Sequence, residues 1–218
     1  MFVGHFGVGF AAKAAAPRVS LGTLFLAAQL VDLLWPTLLL LGLEKVEIRP
    51  GITRVTPLDF VSYPISHSLL MAVVWAGLFS GAYLLLRRHA AGALAVFGAV
   101  VSHWLLDLAT HRPDLPLWPG GGTRVGLGLW DSLPATLVVE LALFAAGLAL
   151  YLRATRPADR TGRFALAGLV AFLLLVHAAN LFGAAPPSVE AIAWAGHAQW
   201  LLVAWAYWVD RHRVVAAP

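Results

Sequence analysis

The stretch His103-Trp-Leu-Leu-Asp107-Leu-Ala-Thr-His111 carries three groups able to ligate a metal. On a helix, the four-residue spacing puts His103 and Asp107 on one face, and His111 follows on a partly rotated face within reach of it. Imidazole and carboxylate at that spacing suit zinc. The plainer reading is a polar helix end at a water boundary, but ionisable groups in an apolar span are costly unless they are paired or used. Asp107 and His111, with Glu140 farther along the chain, are candidates to handle protons as well.

Further ionisable residues interrupt other apolar stretches. Counting back to the nearest basic or histidine flank at about 1.5 Å per residue, Asp32, His103, Glu140, His177 and His197 each come out about 20 Å along their helices. His67 and Asp107 come out higher, at roughly 27–32 Å, and His5 lower, at about 12 Å. Together they outline a site opening toward one face. An unpaired carboxylate buried at such a depth costs several kcal/mol, and neither Lys nor Arg shares the level of Asp32, Asp107 and Glu140. A bound metal supplies the missing positive charge; mutual His–carboxylate hydrogen bonding is the alternative. The chain has no cysteine, so a metal rests on His, Asp, Glu and water. His177 with Asn180, and His197, are candidates to line a substrate pocket or to bond between helices. His89 and His212 adjoin arginines and read as solvated flanks.

What must position these groups is a membrane protein. The 218 residues are 60% hydrophobic and 12% charged, with a mean hydropathy of +0.80, well outside what a soluble core needs. The expected fold is all-α: a polytopic helical bundle, residues 1–218 forming a single integral membrane domain. Six transmembrane helices are expected at about 20–43, 64–86, 91–111, 133–152, 164–183 and 190–209. Residues 2–16 lack the basic start and cleavage site of a signal peptide and suit a short, half-inserted N-terminal helix. Pro36 is expected to kink the first span, while Pro64 and Pro134 suit the opening turns of theirs.

If the spans simply alternate, Lys13, Arg18, Arg87, Arg88, Arg153, Arg156, Arg160, Arg163, Arg211 and Arg213 share one side, which is then cytoplasmic. This accounts for the net charge of +4 without nucleic acid, which is not expected as a partner. The longer connections 44–63 and 112–132 then face outward as a lid or rim.

The ordered set Gly4-His5, Asp32, Ser66-His67-Ser68 and His103-x-x-x-Asp107 resembles the membrane-bound metal-dependent hydrolases of the bacterial inner membrane, also described as LexA-binding. The resemblance covers roughly the first 140 residues. It implies His5, Asp32, His67, His103 and Asp107 as ligands. The order is also similar to that of zinc-dependent phospholipase C and related nucleases, which would make Glu140 a late ligand. Ser66 stands where the family has Thr, Pro64-Ile65 where it has Arg-Gly, and His111 where small residues are usual.

The resemblance thus implies a membrane-embedded hydrolase holding one to three Zn2+ ions, with Mn2+ as an alternative metal. It would act on a lipid or lipid-linked phosphoester from the periplasmic side of the inner membrane. The rival expectation is a proton-coupled or metal-ion transporter using the same buried layer. A third is a structural protein whose polar layer only bonds helices together.

Overall fold

The computed structural model describes residues 1–216, and they are mostly helical. The helices are α1 (Val3–Ala15), α2 (Leu21–Ala28), α3 (Leu30–Leu40), the single turn α4 (Pro64–His67), α5 (Leu69–Arg87) and α6 (Ala90–Thr110). They continue as α7 (Leu133–Ala154), α8 (Arg160–Phe182), α9 (Val189–His197) and α10 (Gln199–Arg211). Three two-stranded antiparallel pairs close the connections. They are β1 (Lys45–Ile48) with β2 (Leu58–Ser62), β3 (Leu115–Pro116) with β4 (Arg124–Val125), and β5 (Thr155–Pro157) with β6 (Arg213–Val215).

Four helices, α5, α6, α7 and α8, are long and apolar enough to cross a membrane, and α2 with α3 makes a fifth if the pair is one broken span. Hydropathy predicts six spans, the first of them kinked. The last of them divides at Ala198 into α9 and α10, each shorter than a hydrocarbon core of about 30 Å requires. Along α5 and α8, Leu78, Leu85, Leu86, Phe164 and Leu175 are exposed, an outward apolar surface suited to lipid.

The first span bends by 54° between α2 and α3, at Gln29. Pro36 does not make this bend: it lies inside α3. The break falls where the Ala28 carbonyl accepts a hydrogen bond from His103 Nδ1 at 2.7 Å, so that oxygen is occupied by a side chain rather than by the next helical turn. Pro36 packs instead on Gly196, where a Cβ would come within 2.5 Å of the proline ring. Pro64 opens α4, but the backbone turns extended at Ser68 before α5 begins, and Ser68 Oγ then caps α5 by accepting from Met71 N. Pro134 sits in the first turn of α7 as expected.

Helix α1 occupies the middle of the bundle. Val3, Phe6 and Phe10 are fully buried and pack with Phe25, Phe144 and Leu169 from α2, α7 and α8. It can lie this deep because it meets α7 glycine to glycine. A Cβ on Gly147 would lie 2.0 Å from Gly7 O, and one on Gly7 would lie 2.7 Å from Leu143 O. The close backbone approach seats α1, and with it His5, against the rest of the fold.

Replacing Gly147 by leucine is expected to overpack this contact and to lower stability by about 1–3 kcal/mol. Thermal melting in detergent checks it, with Gly77→Leu, where a Cβ meets open space, expected to melt like the wild type.

Candidate metal centre

Five side chains from four elements meet beside the α2–α3 break: His5 of α1, Asp32 of α3, His67 of α4, and His103 and Asp107 of α6. Two groups of ligand atoms, His5–His103–Asp107 and Asp32–His67–His103, each have every atom within 4.8 Å of the others and share His103. His67 Nε2 lies 3.2 Å from Asp32 Oδ1 and 3.9 Å from Asp107 Oδ2. His103 Nε2 lies 3.1 Å from Asp107 Oδ2 and 3.7 Å from Asp32 Oδ1. Atoms bound about 2.0–2.2 Å from a tetrahedral ion sit roughly 3.3–3.5 Å apart, a spacing that these His–Asp distances bracket, and it is within each triad that all the ligand atoms converge. His5 Nε2 reaches the other oxygen, Asp107 Oδ1, at 3.1 Å, and its ring stacks on His103 with centroids 3.7 Å apart.

The far side of each imidazole decides what the near side offers. His103 Nδ1 is bonded to the Ala28 carbonyl, which only accepts, so Nδ1 carries the hydrogen. Its Nε2 has no hydrogen-bond partner despite the 3.1 Å approach to Asp107. At His67, Ser66 Oγ donates to Glu44 Oε2 at 2.6 Å, which leaves the serine oxygen to accept from His67 Nδ1, also at 2.6 Å. In the neutral rings, therefore, both Nε2 lone pairs point at carboxylate oxygens. Lone pair against lone pair is repulsive, and only positive charge between them makes the convergence stable.

The amine of Met1 answers part of this demand, lying 2.7 Å from Asp107 Oδ1. It sits on the His5 side, away from the oxygens that face His67 and His103, and leaves the second carboxylate uncompensated. The side chain of Asp32 is 25% exposed, whereas those of His5, His67, His103 and Asp107 are 1–5% exposed. Water and ligands thus reach the cluster past Asp32. The buried His and Asp groups could hold a metal ion.

A second polar layer roofs the centre. His111 Nδ1 pairs with Asp114 Oδ1 at 2.9 Å, and the Tyr63 hydroxyl donates to the same oxygen at 2.9 Å. Arg112 bonds both Asp114 and Asp59, tying β2 to the segment after α6. The His111 ring packs against Phe60 and Trp130, and Tyr63 stands between it and His67, 5.3 Å from the latter's ring. His111 is thus held in the roof and is not one of the clustered ligand atoms. Outside the roof is a cleft of about 240 Å3 lined by Tyr63, Asp114, Trp118 and Arg124 among others.

Glu140 lies outside both ligand groups. Its Oε2 accepts from Phe2 N at 2.8 Å and Gly4 N at 3.4 Å, so it holds the first turn of α1 and, through it, His5. His177 is buried facing the same turn, its ring 6.3 Å from that of Phe2 and both its nitrogens unpartnered. Asn180 is exposed. His197 bonds Thr37 Oγ1 at 3.0 Å and Ala193 O at 2.8 Å, linking α9 to α3. Common depth therefore did not select the cluster. A count along each helix gives a level but no azimuth, and α1 brings His5 up to the others by starting inside the bundle.

Sequence reasoning missed Glu44, Tyr63 and Asp114. Glu44 precedes Lys45 in a connection of mixed charge, where a solvated carboxylate is the default, and only the Ser66-His67 neighbourhood hinted that the imidazole had a partner. No protein family, curated protein or solved structure matches the chain.

Burial raises the Asp114 pKa, but hydrogen bonds from His111, Tyr63 and Arg112 outweigh it and hold the carboxyl below its ordinary value of 3.8. A depressed carboxylate contributes stability that is complete above its unfolded pKa and is lost as pH falls through the folded one. Acid melting curves below about pH 4 are expected to fall more steeply for the wild type than for Asp114→Asn.

Proposed function

We propose that the chain is a membrane-embedded, zinc-dependent hydrolase of a lipid or lipid-linked phosphoester, acting at the outer face of the bacterial inner membrane. One observation carries the metal part of this reading: the Nε2 atoms of His67 and His103 lie 3.1–3.9 Å from oxygens of Asp32 and Asp107, and in the neutral rings the hydrogens are held on the far nitrogens. Zinc fits a cysteine-free set of His and Asp, and Mn2+ is the alternative where carboxylates dominate. The hydrolase part and the phosphoester rest on the ordered motifs from His5 to Asp107. The remaining spans, the half-insertion of α1 and the periplasmic orientation belong to this proposal through the hydropathy and basic-flank arguments.

His67 and His103 would hold the metal with Asp32 and Asp107, and His5 would serve the second oxygen of Asp107. The metal, when bound, supplies Lewis acidity and a lowered pKa for water. Asp32, the ligand with an open side, is placed to receive a proton from an incoming water, and Asp107 is held too tightly for that role. The roof of Tyr63, His111 and Asp114 shields the centre from bulk water on one side, leaving the approach past Asp32 to the substrate.

The α2–α3 break favours a second reading. A discontinuous helix beside buried carboxylates is where secondary carriers place their ions, and here it makes a proton-coupled or metal-ion transporter the rival.

Metal analysis of the purified protein by mass spectrometry tests the first reading. Wild type is expected to carry at least one zinc ion per chain, and His103→Ala and Asp107→Asn are each expected to lose it. A folded wild type that takes up neither zinc nor manganese would sink the proposal. With metal present, turnover of lipid phosphoesters in vesicles supports the hydrolase, while ion flux without turnover supports the carrier.

A further inference from the structure

The buried carboxylate of Glu44 is not a metal ligand in this arrangement, yet it is bonded as fully as any group in the fold. Its Oε1 accepts from Ile65 N at 2.7 Å and Ser66 N at 2.8 Å, and its Oε2 accepts from Ser66 Oγ at 2.6 Å. The serine hydroxyl has one hydrogen, and Glu44 takes it. Ser66 Oγ can then only accept from His67 Nδ1, 2.6 Å away. All three residues are buried, so water does not compete for these bonds. The chain runs in one direction: carboxylate, hydroxyl, Nδ1–H, bare Nε2.

We propose that Glu44, acting through Ser66, is a positioning residue that fixes the Nδ1–H tautomer of His67 and aims its Nε2 lone pair at Asp32 and Asp107. The orientation itself is a property of the protein without metal; its consequence for metal affinity rests on the metal-centre reading above. Orienting partners of ligating histidines commonly govern affinity by 10–100-fold. His103 has the simpler version of the same device, a backbone carbonyl. Glu44 reaches His67 through a hydroxyl because its other oxygen is engaged with two backbone N–H groups of α4.

Glutamine at position 44 reverses the relay without removing it. Its single carbonyl oxygen must serve the Ile65 and Ser66 N–H groups, leaving its NH2 to donate to Ser66 Oγ. The serine hydrogen then turns to His67 Nδ1 and moves the imidazole proton to Nε2, toward Asp32. Two-bond 1H–15N spectra of histidine-labelled, metal-free protein read this directly, with His67→Ala assigning the signal. Wild type is expected to carry a hydrogen on His67 Nδ1, and Glu44→Gln to carry one on Nε2 alone. Zinc titration is expected to give about 10–100-fold weaker binding in Glu44→Gln and in Ser66→Ala. If Glu44→Gln does not fold, Ser66→Ala alone decides. An unchanged tautomer with unchanged affinity in a folded variant overturns the relay. A wild type that binds no metal overturns the metal reading, while the tautomer comparison still judges the relay.

Discussion

Two aspartates, Asp32 and Asp107, face two imidazole nitrogens that carry no hydrogen while the rings are neutral, and the rest of the structure is arranged around the positive charge this geometry demands. In water such a meeting would disperse. Inside a bundle of low polarity it cannot, because each carboxylate left without a counter-charge is penalised by several kcal/mol. The Met1 amine covers Asp107 Oδ1, while Asp107 Oδ2 and Asp32 Oδ1 remain beside the imidazoles of His67 and His103. Either triad sharing His103 could hold a divalent cation that supplies this charge to three ligand atoms at once.

The scaffold meets this demand with backbone as much as with side chains. The interruption between α2 and α3 gives His103 a carbonyl to hold, and it turns Asp32 toward the opening. The glycine contact between α1 and α7 lets a short helix run through the middle of the bundle, so that His5 can stack on His103. Glu140 holds the start of that helix and Glu44 the turn that carries His67. Each of these carboxylates fixes a histidine that it does not touch. Above them, the paired connections bring Tyr63, His111 and Asp114 into a roof, so the polar interior is closed on one side and reached from another.

The helical character of the chain, its long apolar helices and most of the His and Asp residues that cluster were determined by the sequence alone. Length and hydropathy are summed over many residues and survive local surprises, and His103 and Asp107 are one helical turn apart whatever surrounds them. His5, Asp32 and His67 were legible for the same reason: ionisable residues in apolar segments are rare enough to stand out.

What only the tertiary structure decided was which of the rare residues meet. Glu140, His177 and His197 looked equivalent to Asp32 and His103 by depth, but azimuth depends on how helices rotate against neighbours, and no count along one helix contains it. Proline is the local signal and points to a kink at Pro36, but the bend lies at Gln29, beside the Ala28 carbonyl that accepts from His103, 75 residues away. Glu44 could not be read at all, since a carboxylate in a charged connection looks solvated until the fold closes over it. Local periodicity fixes what one element offers, and the bonds between elements, made at long sequence separation, determine how it is used.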